Sequence, residues 1–178
     1  SSVPGNQQPS SQDMQRLNQN IHFNRAFTLR RINAPDSYIN REWNWAVRQA
    51  YLKQDDGLLL AAAKRAYDMG WYDRAIYAAE RTVRQHNYSY RYATPHQGTV
   101  VSHSRNAGVD PAWAYGLMRQ ESRFVSSARS HVGAGGLMQI MPDTARLVAR
   151  QMGESYNPAA LTDMNTNIRY GTYYLSMI

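Results

Sequence analysis

QESRFVSSARSHVGAGGLMQIMP, Gln120 to Pro142, ends an apolar helical pattern on one glutamate and continues as a glycine-rich loop. Upstream, Asp110 is a good N-cap and Pro111 suits the first helical position, which predicts a helix with Ala114, Leu117 and Met118 on one face. Glu121 lies four residues after Leu117 and three after Met118, just before Phe124, and so falls on that face. A carboxylate on an apolar stripe loses hydration, and the dipole at a helix C-terminus opposes the anion, so both effects favour its protonated form. A general acid needs that property if it is to carry a proton near neutral pH. The alternative is a glutamate at a frayed helix end, turned to solvent or paired with Arg119 or Arg123. Gly133, Gly135 and Gly136 permit unusual torsions and close approach to a ligand, and Leu137, Met138 and the amide of Gln139 follow directly. Amides and thioethers beside an acid describe a pocket for a neutral, hydroxyl-rich or acetamido ligand. The glycine spacing matches neither phosphate-loop signature, and no lysine follows.

The chain has 178 residues, 43% hydrophobic and 19% charged, enough for one medium domain or two small ones with a packed core. It contains no apolar run of 18 residues, and its first residues lack a charged-then-apolar export pattern. Cysteine is absent, which excludes disulfides and thiolate metal sites. The net charge of +7 is carried by arginine, since Lys53 and Lys64 are the only lysines among 20 basic residues. These cations are scattered and form no concentrated stripe, so specific nucleic-acid binding is not expected. The five histidines lack metal-ligand spacing and no calcium loop is present, so no metal is expected.

Residues 1–13 are rich in Ser, Pro, Gly and Gln and are expected to be a disordered lead, with structure starting near Met14. From Tyr38 to about Gln85 the periodicity is helical: Trp45, Gln49 and Leu52, then Leu58, Leu59, Ala62, Ala63, Ala66 and Met69. Gly70 ends one helix, Asp73 is acidic in the first turn of the next, and Ala75, Ile76, Ala79 and Val83 give that helix an apolar face. The small residues of this pair read as one helical-repeat hairpin. Trp43, Trp45 and Trp71 are expected as core or interhelix anchors. The tyrosines and Pro95 near residue 93 mark a boundary between a helical domain over 14–93 and a second domain over 94–178.

Three segments carry a resemblance to a known family: Gln120-Glu121-Ser122 with its hydrophobic lead-in, Ser130 through Pro142, and Asn167-Ile168-Arg169-Tyr170-Gly171-Thr172-Tyr173-Tyr174-Leu175. From about Asp110 to Leu175 the chain resembles the catalytic domain of the soluble lytic transglycosylases of bacterial cell-wall turnover, a lysozyme-like fold. Met69 to His86 is similar to the helical linker domain that precedes it in the large soluble members. The resemblance implies a mainly α protein, a helical linker domain followed by a lysozyme-like domain. It implies cleavage of the β-1,4 bond between N-acetylmuramic acid and N-acetylglucosamine in peptidoglycan, with release of a 1,6-anhydromuramyl product and no consumption of water. The residue matching the family's sole acid and base is Glu121. Ser122 would support it, and Ser130, Gln139 and Met141 would contact the glycan. No cofactor is implied. The partners it implies are peptidoglycan strands and other cell-wall enzymes, and the location it implies is the bacterial periplasm, in association with the outer membrane or cell wall.

Ordinary glycosidases need a second carboxylate. Two nearby acids, Asp143 and Asp163, read instead as caps or first-turn acids for the helices Thr144 to Met152 and Met164 to Leu175. The family's further Ala-Tyr-Asn motif does not occur in the chain, so the catalytic domain is expected to be truncated, with Leu147, Val148, Ile168 and Leu175 exposed. The competing readings are a non-catalytic peptidoglycan-binding or scaffold module of lysozyme-like ancestry, and a true hydrolase.

Overall fold

The computed structural model describes residues 6–178 of the chain. All its regular structure is helical, and among the described residues β-pairing is limited to two isolated bridges. The chain divides into two compact units, the first ending at Ala93 and the second running Thr94–Ile178.

In the first unit, a reciprocal capping box between Ser10 and Asp13 opens α1, Ser11–Gln19. It is followed by α2 (Ile21–Arg31), α3 (Asp36–Leu52), α4 (Asp56–Asp68), α5 (Tyr72–Ala79) and the single turn α6 (Tyr88–Arg91). The disordered lead expected over 1–13 is not what is found from Asn6 onward. Asn6 Nδ2 donates to Ser89 Oγ at 2.8 Å, the Gln7 N–H donates to the His86 carbonyl at 2.9 Å, and Tyr90 Oη donates to Gln8 Oε1 at 3.0 Å. A polar segment with little to bury is tied down by hydrogen bonds to the turn around His86–Tyr90. Residues 1–5 of that expectation lie outside the described residues.

The buried face of α3 is Ile39, Trp43, Ala46, Val47 and Ala50. The row Trp45, Gln49, Leu52 points outward: Trp45 is 51% and Leu52 61% exposed. Five apolar residues in register outcompete a row with a glutamine at its centre, so Trp45 is no core anchor. Trp43 is fully buried and meets Phe23 and Phe27 edge-on at 5.1 and 5.4 Å and Trp71 at 4.8 Å.

Between α4 and α5, Gly70 at φ +75° makes the left-handed turn that few other residues tolerate. Ala62, Ala66, Ala75 and Ala79 are buried, so the two helices approach closely. The hairpin is locked at its open end by Asp56. Its buried carboxylate accepts the N–H groups of Val83, Arg84 and Gln85 at 2.6 to 3.1 Å. Burial works to raise the pKa of Asp56, but these three donors and nearby His86 outweigh it and hold the group below the usual carboxylate range.

The second unit contains α7 (Gln97–Ala107), α8 (Pro111–Glu121), α9 (Pro142–Gln151), a 3-10 turn (Pro158–Leu161) and α10 (Met164–Met177). The expected helix ends are found: Asp110 accepts the Ala112 N–H at 2.9 Å, Asp163 accepts the Thr166 N–H at 2.9 Å, and Gly153 at φ +71° closes α9. Asp143 sits in the first turn of α9, whose N-cap is Met141. Val148, Ile168 and Leu175, expected to be exposed, are buried, while Leu147 is 39% exposed. The packing of α10 against α7, α9 and the 3-10 turn covers them.

Candidate active site

Helix α8 carries Ala114 and Met118 into the core and has its last helical residue at Glu121, the position that would continue that row. Ser122 ends it. Its hydroxyl donates to the Met118 carbonyl at 3.1 Å and accepts the Phe124 N–H at 3.2 Å, while its N–H reaches the same carbonyl at 3.0 Å. Arg123 and Phe124 then adopt φ +50° and +64°, two successive non-glycine residues in the left-handed region, at about 1–2 kcal/mol each. This turn takes Phe124 into the core, where its ring lies 6.3 Å from that of Tyr115. Glu121 is left exposed. The buried acid expected from helical spacing is therefore corrected: Phe124, not Glu121, takes the apolar position. Strain of this kind persists only where its surroundings hold it, and beside a glutamate it points to a functional turn.

The loop that follows is built on a relay of hydrogen bonds. The Ser122 carbonyl accepts from the Val125 N–H and the Val125 carbonyl from the Ala128 N–H. The Ala128 carbonyl takes both the Gly136 N–H and Gln139 Nε2, each at 3.0 Å. Single bridges pair Gly135 with Arg129 and with Ile140. This relay brings the Glu121–Ser122 end, the Ser130 turn and Gln139 into one framework.

Ser122 is buried and its hydroxyl is engaged both as donor and as acceptor, so it supports the helix end that presents Glu121 and does not face a ligand. Ser130 Oγ accepts the Ala134 N–H at 2.9 Å and keeps its own proton for another partner. Gln139, at φ +48°, donates both amide protons within the loop, to Ala128 and at 2.7 Å to Gly136. Its Oε1 accepts no hydrogen bond from the described residues. Met141 ends the loop, 37% exposed.

The residue that sequence reasoning missed is Asn167, fully buried on α10. Its Oδ1 accepts the Met138 N–H at 2.8 Å and its Nδ2 donates to the carbonyls of Gly135, at 2.9 Å, and Ala160. Gly136, at φ +79°, lies so close that a Cβ there would stand 2.4 Å from Asn167 Nδ2. An amide among the apolar residues of a buried helix face was the available signal, because a buried polar group needs partners. Apart from the loop, a cavity of about 410 Å³ in this unit is lined by His103, Asn106, Gln151, Met152, Arg169 and Tyr173 among others, and holds none of the predicted site residues.

Residues 99–178 match the family described as the Transglycosylase SLT domain. The soluble lytic murein transglycosylase of Salmonella typhimurium is 29% identical over 118 residues, 65% of this chain and 18% of that protein. Membrane-bound lytic murein transglycosylase C of Klebsiella pneumoniae is 39% identical over 95 residues, 52% of this chain and 26% of that protein. Among solved structures, an inactive glutamate-to-glutamine mutant of the lytic transglycosylase Slt from Pseudomonas aeruginosa superposes with a TM-score of 0.77 at 34% identity, covering 97% of this chain and 28% of that one. The chain thus spans less than a third of the length of each of these relatives. It has the all-helical fold of these transglycosylases and, among the described residues, no helix long and apolar enough to cross a membrane. Through residues 99–178, the chain is similar to the transglycosylase SLT domain family.

Proposed function

We propose that the protein is a peptidoglycan lytic transglycosylase that uses Glu121 as both acid and base. Glu121 protonates the glycosidic oxygen between N-acetylmuramic acid and N-acetylglucosamine, and that C–O bond breaks. The carboxylate so formed takes the proton of the muramyl C6 hydroxyl while O6 closes onto C1. A 1,6-anhydro ring forms, the proton returns to Glu121, and no water enters. Glu121 is exposed in the free protein and so is open to an approaching glycan.

The observation that carries this reading is a solitary carboxylate at a constrained turn. Glu121 is the only acid between Pro111 and Pro142. The next acids along the chain are occupied, Asp143 with Arg146 at 2.8 Å, Glu154 with Arg169 at 2.7 and 2.9 Å, and Asp163 with the Thr166 hydroxyl and N–H. A glycosidase that uses water needs a second carboxylate within about 5 to 9.5 Å. That the Pseudomonas enzyme is described as inactive after one glutamate-to-glutamine change fits a reaction that depends on one such group. Ser130 and the Oε1 of Gln139 are the polar contacts for the substrate, with Met141 beside them and Ser122 as support. The first unit serves as the linker domain, and the site of action is the periplasm.

Mass spectrometry of the muropeptides released from purified sacculi tests this directly. Products lighter by one water than hydrolysed muropeptides are expected. Hydrolysed products alone would identify a hydrolase, and binding without release would identify a non-catalytic module.

A further inference from the structure

The outward face of α3 is not an ordinary solvated surface. Arg41, Trp45, Arg48 and Tyr51 recur at intervals of three and four, so they share one side of the helix, opposite the row that carries Trp43. With Tyr77 of α5 and Arg81 just beyond it, they line a groove of about 550 Å³ in the first unit. Trp45 and Tyr51 are 51% and 47% exposed, where a purely solvated helix face would carry lysine and glutamate.

The groove is positively charged and partly set in place. None of its lining residues is acidic. Two nearby carboxylates face elsewhere, Glu42 toward His22 at 3.7 Å and Asp73 toward Arg74 at 2.9 Å. The Arg81 guanidinium lies 3.4 Å from the centre of the Tyr77 ring and donates to the Tyr77 carbonyl at 2.6 Å, which holds it at the groove wall. Exposed rings alternating with guanidinium groups match a polymer with flat apolar faces and regularly spaced planar anions.

We propose that this groove is a second glycan-binding site, on a different unit from Glu121, that holds an N-acetylated glycan strand bearing carboxylates. Sugar faces stack on Trp45 and Tyr51, and the carboxylates of the strand's side chains pair with Arg41, Arg48 and Arg81. The choice of a glycan over another polyanion rests on the transglycosylase reading. A second hold on the polymer raises its effective concentration at the unit that cuts it.

The test measures binding of soluble, uncrosslinked peptidoglycan strands to the whole chain in a Glu121→Gln background, so that no strand is cut. Trp45→Ala and, separately, Arg41→Gln with Arg48→Gln should each weaken binding about tenfold, the usual loss on removing an anchor residue. Their unfolding midpoints should stay unchanged, because these side chains are exposed. A neutral chitin oligosaccharide of equal length should bind more weakly and without salt dependence. Binding within about twofold of the parent in both variants would overturn the proposal, as would equally tight binding of a single-stranded oligonucleotide through the same residues. Anhydro-muropeptide release by the chain with Glu121 intact is read separately. Release with unchanged binding in the variants refutes the groove alone, and absent release refutes the catalytic reading whatever the groove binds.

Discussion

Replacing Asn167 by alanine should loosen the glycine-rich loop without touching any residue proposed to meet substrate. Three hydrogen bonds disappear, leaving the Met138 N–H and the carbonyls of Gly135 and Ala160 without their partner in a buried setting. At about 1 kcal/mol net for each bond, rising where a buried group stays unsatisfied, the loss comes to about 3 to 5 kcal/mol. Amide hydrogen exchange reads this locally: protection of the Met138 N–H should fall by about a hundredfold or more, since each 1.4 kcal/mol is a factor of ten. Asn167→Asp separates the two halves of the amide. It keeps an acceptor for Met138 but turns a carboxylate toward two carbonyls, so its destabilisation should be larger at neutral pH and ease as acid protonates it. Met138 protection within about tenfold of the parent in Asn167→Ala, with stability lowered by less than about 1 kcal/mol, would refute the claim that this side chain pins the loop.

Gly136→Ala combines a left-handed backbone with a Cβ placed 2.4 Å from Asn167 Nδ2, whereas Gly133→Ala, at φ +96°, meets nothing within 4 Å. Denaturation curves should show Gly133→Ala costing about 1–2 kcal/mol and Gly136→Ala clearly more, and equal costs would refute the contact. Asp56 is held below the usual carboxylate range, so its contribution is fully present above about pH 4 and is lost as pH falls through its lower folded value. The stability gap between the parent and Asp56→Ala should therefore be wide at pH 7 and close in acid; a gap independent of pH would contradict the assignment. Arg169→Ala breaks the bidentate pair with Glu154, but both partners are more than a third exposed, so urea denaturation should register less than about 1 kcal/mol.

Local chemistry made much of this fold legible. Asp110, Asp163, Gly70 and Gly153 act through their nearest backbone neighbours, so the sequence alone places them at the helix ends where they are found. The small-residue hairpin of α4 and α5 could be read for the same reason. Errors arose where competition between faces decided the outcome. Helical spacing put Trp45 and Glu121 inward, but the row through Trp43 is the more apolar, and the turn at Arg123 and Phe124 ends α8 before Glu121 can be buried. Two left-handed non-glycine residues in succession are against local preference, and no periodicity argument anticipates them. Asn167 escaped for a different reason: its partners lie 29 and 32 residues away in the loop, a pairing that only the packing of α10 reveals.

The central claim is that one exposed glutamate performs both proton transfers, and Glu121→Gln tests it most directly. The amide preserves shape at a surface position, so the unfolding midpoint should not move. Release of anhydro-muropeptides from sacculi should fall by about a hundredfold or more, the usual worth of a general acid. A folded Glu121→Gln protein that keeps more than about a tenth of the parent's release would contradict the assignment of Glu121 as acid and base.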